Sequence, residues 1–284
     1  MAVLGPGSLT TYWRFQRGVA KAQLAAWLPA AGRRLLIDIS GPSAIAATQA
    51  AGRGHTVVRV LPAVRAEGDG AHAALSAVTT GRAPGRAAHR AHRRPGGTAW
   101  TGPPPGRITP GVAEPGSLGV LADGCADGVI AEDGALSRHL VSEDLAAEIA
   151  RVLRPGGELL ACVDSLVLGM AILAEQHHWA QLTDVPHAEV VLVPWPDGTI
   201  TRCFGAGQLN DLLTEAGLEV AWIRPRTILS PSMVDHVLGR DPGALARLVK
   251  AELSAGQDRV AGVSPDESFG ISLLAAARKP GKPG

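Results

Sequence analysis

Apolar and polar positions follow two periods along this chain, one near 3.6 residues and one near 2, and their order predicts alternating helices and strands. Between Thr11 and Leu28, Trp13, Val19, Leu24, Trp27 and Leu28 recur at helical spacing before Pro29 and Gly32 end the run, which predicts a leading amphipathic helix packed on a sheet. Arg34 to Ile39 is a short apolar run that breaks at Ser40-Gly41-Pro42, passes through an Ala-rich stretch to Ala51 and stops at Gly52 and Gly54. That pattern reads strand, turn, helix, stop. His55 to Leu61 is a β-branched run closed by Pro62, and a strand, a helix and a strand in so short a length open a parallel sheet.

From Val64 to about Ser117 the pattern gives way to Gly, Pro, Ala, Arg and His, and no core strand is predicted there. Loops longer than about 15 residues are uncommon inside compact domains, so a disordered or lid insertion at about 64–117 is expected. Order returns with a strand at Cys125–Ala131 and a helix at Val141–Leu153, with Ser142 as its cap and Glu143 and Asp144 in its first turn. Arg154-Pro-Gly-Gly157 stops that helix before a strand at Glu158–Val163. A helix over Val167–Leu182 follows, then a hairpin of Glu189–Val193 with Thr199–Cys203 around Pro194-Trp-Pro-Asp-Gly198. The remainder predicts a helix at Gln208–Ala216, a strand at Leu218–Ile223, helices at Ser232–Leu238 and Pro242–Ser254, and a last strand at Gly270–Ala277.

Asp127-Gly-Val-Ile130, the helix after it and Arg151-Val-Leu-Arg-Pro-Gly-Gly157 before a strand resemble the fourth strand, helix and fifth strand of class I S-adenosylmethionine-dependent methyltransferases. Leu35-Leu-Ile-Asp-Ile39 at the first strand, Leu212–Val220 before the sixth and the terminal strand extend the resemblance over roughly residues 10 to 64 and 118 to 278. The resemblance implies one domain spanning 1–284, an α/β fold with a doubly wound, mostly parallel, Rossmann-like sheet of seven strands and helices on both faces. It also implies an antiparallel pairing of the last two strands. The family motif acid-x-Gly-x-Gly-x-Gly stands here as Asp38-Ile-Ser-Gly-Pro-Ser-Ala44, which keeps the acid and a glycine at 41 but has Ser40, Pro42 and Ala44 in place of the three motif glycines. Proline at 42 removes an amide donor, and Ser40 and Ser43 offer hydroxyls instead.

The resemblance thus implies S-adenosylmethionine as cofactor, contacted by Asp38, Ser40, Gly41, Ser43, Glu114 and Glu132. Methyl transfer to a small-molecule acceptor is the leading expectation. A catalytically inactive ligand-binding or regulatory protein on the same fold is the alternative, which the eroded glycines permit. The acid expected on the ribose hydroxyls at the end of the second strand is replaced by Leu61 and Pro62. Glu132 is expected to face the reacting methyl or an acceptor, and His139, neutral near pH 7, is a candidate general base. Asp133, Asp164 and Ser165 stand at strand ends of the same edge, and Arg224 and Arg226 read either as contacts to an anionic substrate or as solvated charges. His177 and His178 are adjacent, so they cannot form an i, i+4 metal pair.

Composition narrows the partners. The net charge of +1 and an isoelectric point near 7.9 give no global argument for nucleic acid or an anionic membrane. The basic stretch Arg82 to Arg94 lacks interleaved aromatics for base stacking, so nucleic acid is not the expected partner. Cys125, Cys162 and Cys203 are odd in number and widely spaced, which suits neither a disulfide framework nor a tetrahedral metal site. With no signal core or membrane-length run, a cytoplasmic location is the expectation, and oligomeric state stays open.

Overall fold

The computed structural model describes residues 10–30, 32–62, 106–113, 117–195, 197–258 and 270–281. Its strands are β1 (Leu35–Asp38), β2 (Thr56–Pro62), β3 (Ile108–Ala113), β4 (Ala126–Ala131), β5 (Leu153–Asp164), β6 (Val191–Pro194), β7 (Ile200–Cys203), β8 (Glu219–Pro225) and β9 (Ser272–Arg278). Its α-helices are α1 (Thr10–Trp27), α2 (Ile45–Gly52), α3 (Ala135–Arg138), α4 (Ser142–Val152), α5 (Leu166–Glu175), α6 (Trp179–Asp184), α7 (Ala206–Glu215), α8 (Pro231–Arg240) and α9 (Leu245–Asp258). Seven strands form one sheet in the order β3-β2-β1-β4-β5-β9-β8, and β6 and β7 form a separate pair. Strands β1 to β5 pair in parallel, whereas β9 runs antiparallel to both β5 and β8.

Strand periodicity sorts the core into two layers. Ile37, Val129, Leu159, Ala161 and Leu273 face α4 and α7, where Leu145, Ile149, Leu209 and Leu212 cover them. Their neighbours Leu36, Ile130, Leu160, Cys162 and Leu274 face the other way, toward Leu24, Ala46, Ala47 and Ala50 of α1 and α2. Burial on both faces is why these strands read as unbroken apolar runs. A third cluster joins Tyr12, Phe15 and Val19 of α1 to Val234 and Leu238 of α8, and a fourth packs Ile172 and Leu173 of α5 on Val191, Val193 and Cys203.

Four local expectations differ from the structure. First, β3 lies inside the segment expected to hold no core strand. It is the sheet edge, where Pro110 is tolerated because one side of the strand carries no ladder, and Pro110 with Gly111 breaks the alternation that would have revealed it. Residues 63–105 and 114–116, with the basic stretch Arg82 to Arg94, lie outside the described residues. Second, Ser142 is not a cap: its hydroxyl donates to the carbonyls of Leu136 and His139, and Val141 precedes the helix without a side-chain bond. Third, the helix expected over Val167–Leu182 is two helices, because His177 takes a left-handed φ of 60° that ends α5. Fourth, Arg154-Pro-Gly-Gly157 bulges out of β5 itself, so that Ala126 pairs with Leu153 and Gly128 with Glu158.

Among the described residues no helix is long and apolar enough to cross a membrane. The edge strand docks through Gly106, where an added Cβ would lie 2.1 Å from the Ala51 carbonyl oxygen and 2.6 Å from that of His55. Both obstacles are backbone. Gly106→Ala is therefore expected to cost about 2 kcal/mol and to lower the melting temperature by several degrees, as scanning calorimetry would read; an unchanged melting temperature would contradict the docking of β3 beside α2.

Candidate functional site

Open α/β sheets bind ligands beyond the carboxyl ends of their strands, where the strand order reverses. Here that point lies between β1 and β4, and a cavity of about 470 Å³ opens beside it, between α1 and the tips of β4 and β5. Period-two geometry supplies its floor. Ile130 and Leu160 face α1, so Glu132 on one strand end and Cys162 and Asp164 on the next face it too, and all three line the cavity. Its roof is one stripe of α1 that includes Trp13, Arg17, Ala20 and Lys21, while Tyr12, Phe15 and Val19 on the adjoining stripe pack against α8.

The deepest polar feature is an ion pair. Arg226 Nη2 donates to Glu132 Oε2 at 2.5 Å, with the side chains 2% and 8% exposed. Arg226 is thus buried, in contrast to the solvated reading, and burial works against its charge while Cys162 and Glu132 hold it charged. The Arg226 amide donates to the Ser272 carbonyl, and the Arg226 carbonyl accepts from Gln23 Nε2 of α1. Asp164 is half-buried at the tip of β5, and desolvation pushes its carboxyl up to about 6, with Arg138 partly offsetting the rise. Burial pushes the Cys162 thiol up to about 11, which leaves it unreactive near neutral pH.

The loop after β1 is fastened by side chains. Asp38 is fully buried, its Oδ1 accepts the Ser40 amide at 3.0 Å, and Oδ2 has no hydrogen-bond partner among the described residues. Burial raises the Asp38 carboxyl above its ordinary range, and the Ser40 hydroxyl and amide, Arg59 and the Ala47 amide pull it back. Ser40 Oγ accepts the Glu132 amide at 3.1 Å, joining the tips of β1 and β4. Arg138 continues that bridge: one of its nitrogens donates to the Ser40 carbonyl at 3.0 Å and another to the Asp133 carbonyl. Arg59 of β2 donates to the Gly41 carbonyl at 2.9 Å and to the Pro42 carbonyl. Gly41 has φ of 95°, and an added Cβ there would lie 2.9 Å from Arg138 Nη2, so the guanidinium occupies the approach to the glycine backbone.

Of the residues singled out in the sequence for their chemistry, Ser43, Glu132, Asp133, Asp164 and Arg226 line the cavity. Asp38, Ser40 and Gly41 are not part of its lining: Ser40 and the loop carbonyls are taken up by the β1 to β4 bridge and its arginines, and Asp38 is buried with its Oδ1 on the Ser40 amide. His139 stands apart: it follows α3, its carbonyl accepts the Ser142 hydroxyl, and its charge bears on Glu143, which pairs with Arg202. Glu114 lies outside the described residues. Ser165 is buried and accepts the Leu168 amide as the cap of α5. His177 is exposed and His178 half-buried. Sequence reasoning missed Arg138, Cys162 and the α1 stripe, although positions 13, 17, 20, 21 and 24 are legible as one helical face.

No protein-family model matches the sequence, and no curated protein matches it. Solved structures do. A proposed S-adenosylmethionine-dependent methyltransferase from Listeria monocytogenes superposes with a TM-score of 0.53 at 12% identity, over 93% of this chain and 97% of that one. A proposed methyltransferase from Haloferax volcanii, solved with the Trm112 methyltransferase activator, gives 0.50 at 15% identity over 97% and 95%. The chain has the class I methyltransferase fold. The antiparallel pairing of β8 with β9 is the one that the resemblance implied, and β9 lies between β5 and β8. Identities this low carry the methyltransferase scaffold and nothing finer about its chemistry.

Two outcomes test the site. Breaking a buried pair from one side strands the other charge at a cost of about 3 kcal/mol or more. Arg226→Met is expected to show that loss in urea unfolding, and Glu132→Leu added to it is expected to recover much of it; equal loss in single and double variants would show that Glu132 is not the partner. The ordinary carboxyl value for Asp164 is 3.8 and the folded value is about 6, so between these values the unfolded chain ionises it while the folded chain keeps it protonated. Its contribution to stability therefore falls as pH rises through that window. Asp164→Asn is expected to raise the melting temperature near pH 8 and to leave it unchanged near pH 4, and a gain of equal size at both would refute the assignment.

Proposed function

We propose that this chain binds S-adenosylmethionine across the tips of β1 and β4 and transfers its methyl group to a small-molecule acceptor held in the cavity beneath α1. The observation that carries the reading is the position of that cavity, which opens beside the β1 to β4 switch point of a methyltransferase-type sheet and has a volume within the range of small-molecule sites. Ser43, in the loop after β1, is the lining residue that would hold the methionyl end. The residues immediately after β3, Glu114 among them, lie outside the described ones.

The sulfonium is already an activated methyl donor, so what the protein supplies is chiefly alignment and exclusion of water. Burial of Glu132 and Cys162 keeps the floor dry, and Asp164, pushed up to about 6, is the lining group suited to take a proton from an acceptor near neutral pH.

A specific observation favours a second reading, a ligand-binding or regulatory protein without turnover. Arg138 and Arg59 fasten the loop carbonyls from Ser40 to Pro42, and Arg138 fills the approach to Gly41. Calorimetry of the full chain with S-adenosylmethionine and S-adenosylhomocysteine separates the two readings. Micromolar binding of both is the outcome expected for a methyltransferase, and absence of heat at millimolar ligand would remove the methyl-donor reading.

A further inference from the structure

Charge in the cavity is sorted by depth. Glu132 is 6% exposed, and while Arg226 pairs with its Oε2, its Oε1 is buried without a hydrogen-bond partner among the described residues. Asp164 stands beside it on the neighbouring strand end, and among the described residues no donor meets its carboxylate. The turn after β4 lies against that carboxylate without bonding it: Gly134 has φ of 69°, and an added Cβ would be in van der Waals contact at 3.7 Å from Asp164 Oδ1 and 3.8 Å from Oδ2. On the opposite wall Arg17 and Lys21 are exposed on α1, and neither is in an ion pair among the described residues. Beyond the Arg226–Glu132 pair, Glu132 Oε1 and the Asp164 carboxylate are thus left without a donor, and Arg17 and Lys21 without an ion-pair partner, among the described residues.

A metal ion does not answer the floor, because no group of three His, Cys, Asp or Glu side chains among the described residues is placed to hold one. A ligand nitrogen does. Buried acceptors left without donors are rare in folded proteins and mark places where a partner belongs. An ammonium or amine brings two or three donors, enough for Glu132 Oε1 and Asp164 together. We infer that the acceptor is a zwitterionic amine, its nitrogen recognised by Glu132 Oε1 and Asp164 on the floor and its anionic group by Arg17 and Lys21 at the rim. This substrate class rests on the methyltransferase reading for its chemistry and on the cavity alone for its binding.

An ammonium next to a carboxylate also describes the methionyl end of the methyl donor, and the experiment must separate these two sources. Titration calorimetry on the full chain, with and without saturating S-adenosylhomocysteine, would compare phenylalanine with phenyllactate and γ-aminobutyrate with γ-hydroxybutyrate, pairs that differ only in the nitrogen. The expected result is that at least one amine binds at least tenfold more tightly than its hydroxyl counterpart in the presence of S-adenosylhomocysteine. Asp164→Asn should abolish that preference, and Arg17→Ala with Lys21→Ala should weaken both members of a pair alike. Asp164→Asn is nearly isosteric, so it keeps the test sound if Glu132→Gln fails to fold around the stranded Arg226. Equal binding of amine and hydroxyl compounds, silence across the panel, or displacement of S-adenosylhomocysteine by the amines would each overturn the inference, the last by assigning the subsite to the donor. Amine preference in a chain that ignores S-adenosylhomocysteine would instead sustain the recognition and sink the methyl-donor reading.

Discussion

Arg226 is the knot that holds the site together. Its guanidinium is paired with Glu132 at the end of β4, its amide is bonded to Ser272 at the start of β9, and its carbonyl receives Gln23 from α1. A buried ion pair adds little net stability, since desolvating both charges consumes most of their attraction, but it is costly to misplace either partner. One residue thereby fixes the relative positions of the strand tips on the floor and the helix that forms the roof. The cavity follows from that fixing, because α1 cannot settle onto Glu132, Cys162 and Asp164 while the pair and its backbone bonds set the spacing.

The loop after β1 solves a second problem in an unusual way. A glycine-rich loop lets backbone approach a ligand closely but costs conformational entropy, since each glycine loses more freedom than other residues on ordering. Here Ser40 joins β1 to β4 through its hydroxyl, Arg59 and Arg138 satisfy the loop carbonyls, and Pro42 restricts the chain further. The loop is rigid by cross-linking instead of adaptable by composition. Asp38 becomes part of the same framework, one oxygen of its buried carboxyl holding the Ser40 amide.

Much of this fold was legible because strands covered on both faces leave unmistakable apolar runs, as Leu35–Asp38, Ala126–Ala131 and Leu159–Val163 do. The edge strand was not, since Ile108 to Ala113 pairs on one side only and tolerates a proline and a glycine that a central strand would reject. Site legibility divided along similar lines. Glu132 and Asp164 were identifiable as acids at strand ends. The partnership of Glu132 with Arg226 spans 94 positions and leaves no local trace. Arg138 reads in sequence as an ordinary surface arginine, and only the turn that carries it, with Asp133 at φ of 54° and Gly134 at 69°, swings it over Gly41.

The two stripes of α1 explain how such a scaffold can keep its sheet and change its ligand. Tyr12, Phe15 and Val19 bind the helix to α8 and to the neighbourhood of α9, and the Tyr12 hydroxyl pairs with Thr227 next to Arg226. Arg17 and Lys21, on the adjoining stripe, carry none of that packing and face the cavity, whereas Trp13 lines the cavity and packs on the cluster as well. Substitutions on the second stripe change what the roof offers without disturbing what holds it up, because the stabilising contacts lie on the other side of the helix. Acids on the floor are more constrained: Glu132 cannot change without stranding Arg226, whereas Asp164, whose carboxylate has no bonded partner among the described residues, can. Discrimination among ligands at this site is therefore most readily altered at Asp164 and along the α1 stripe, and the ion pair is the fixed point against which both are measured.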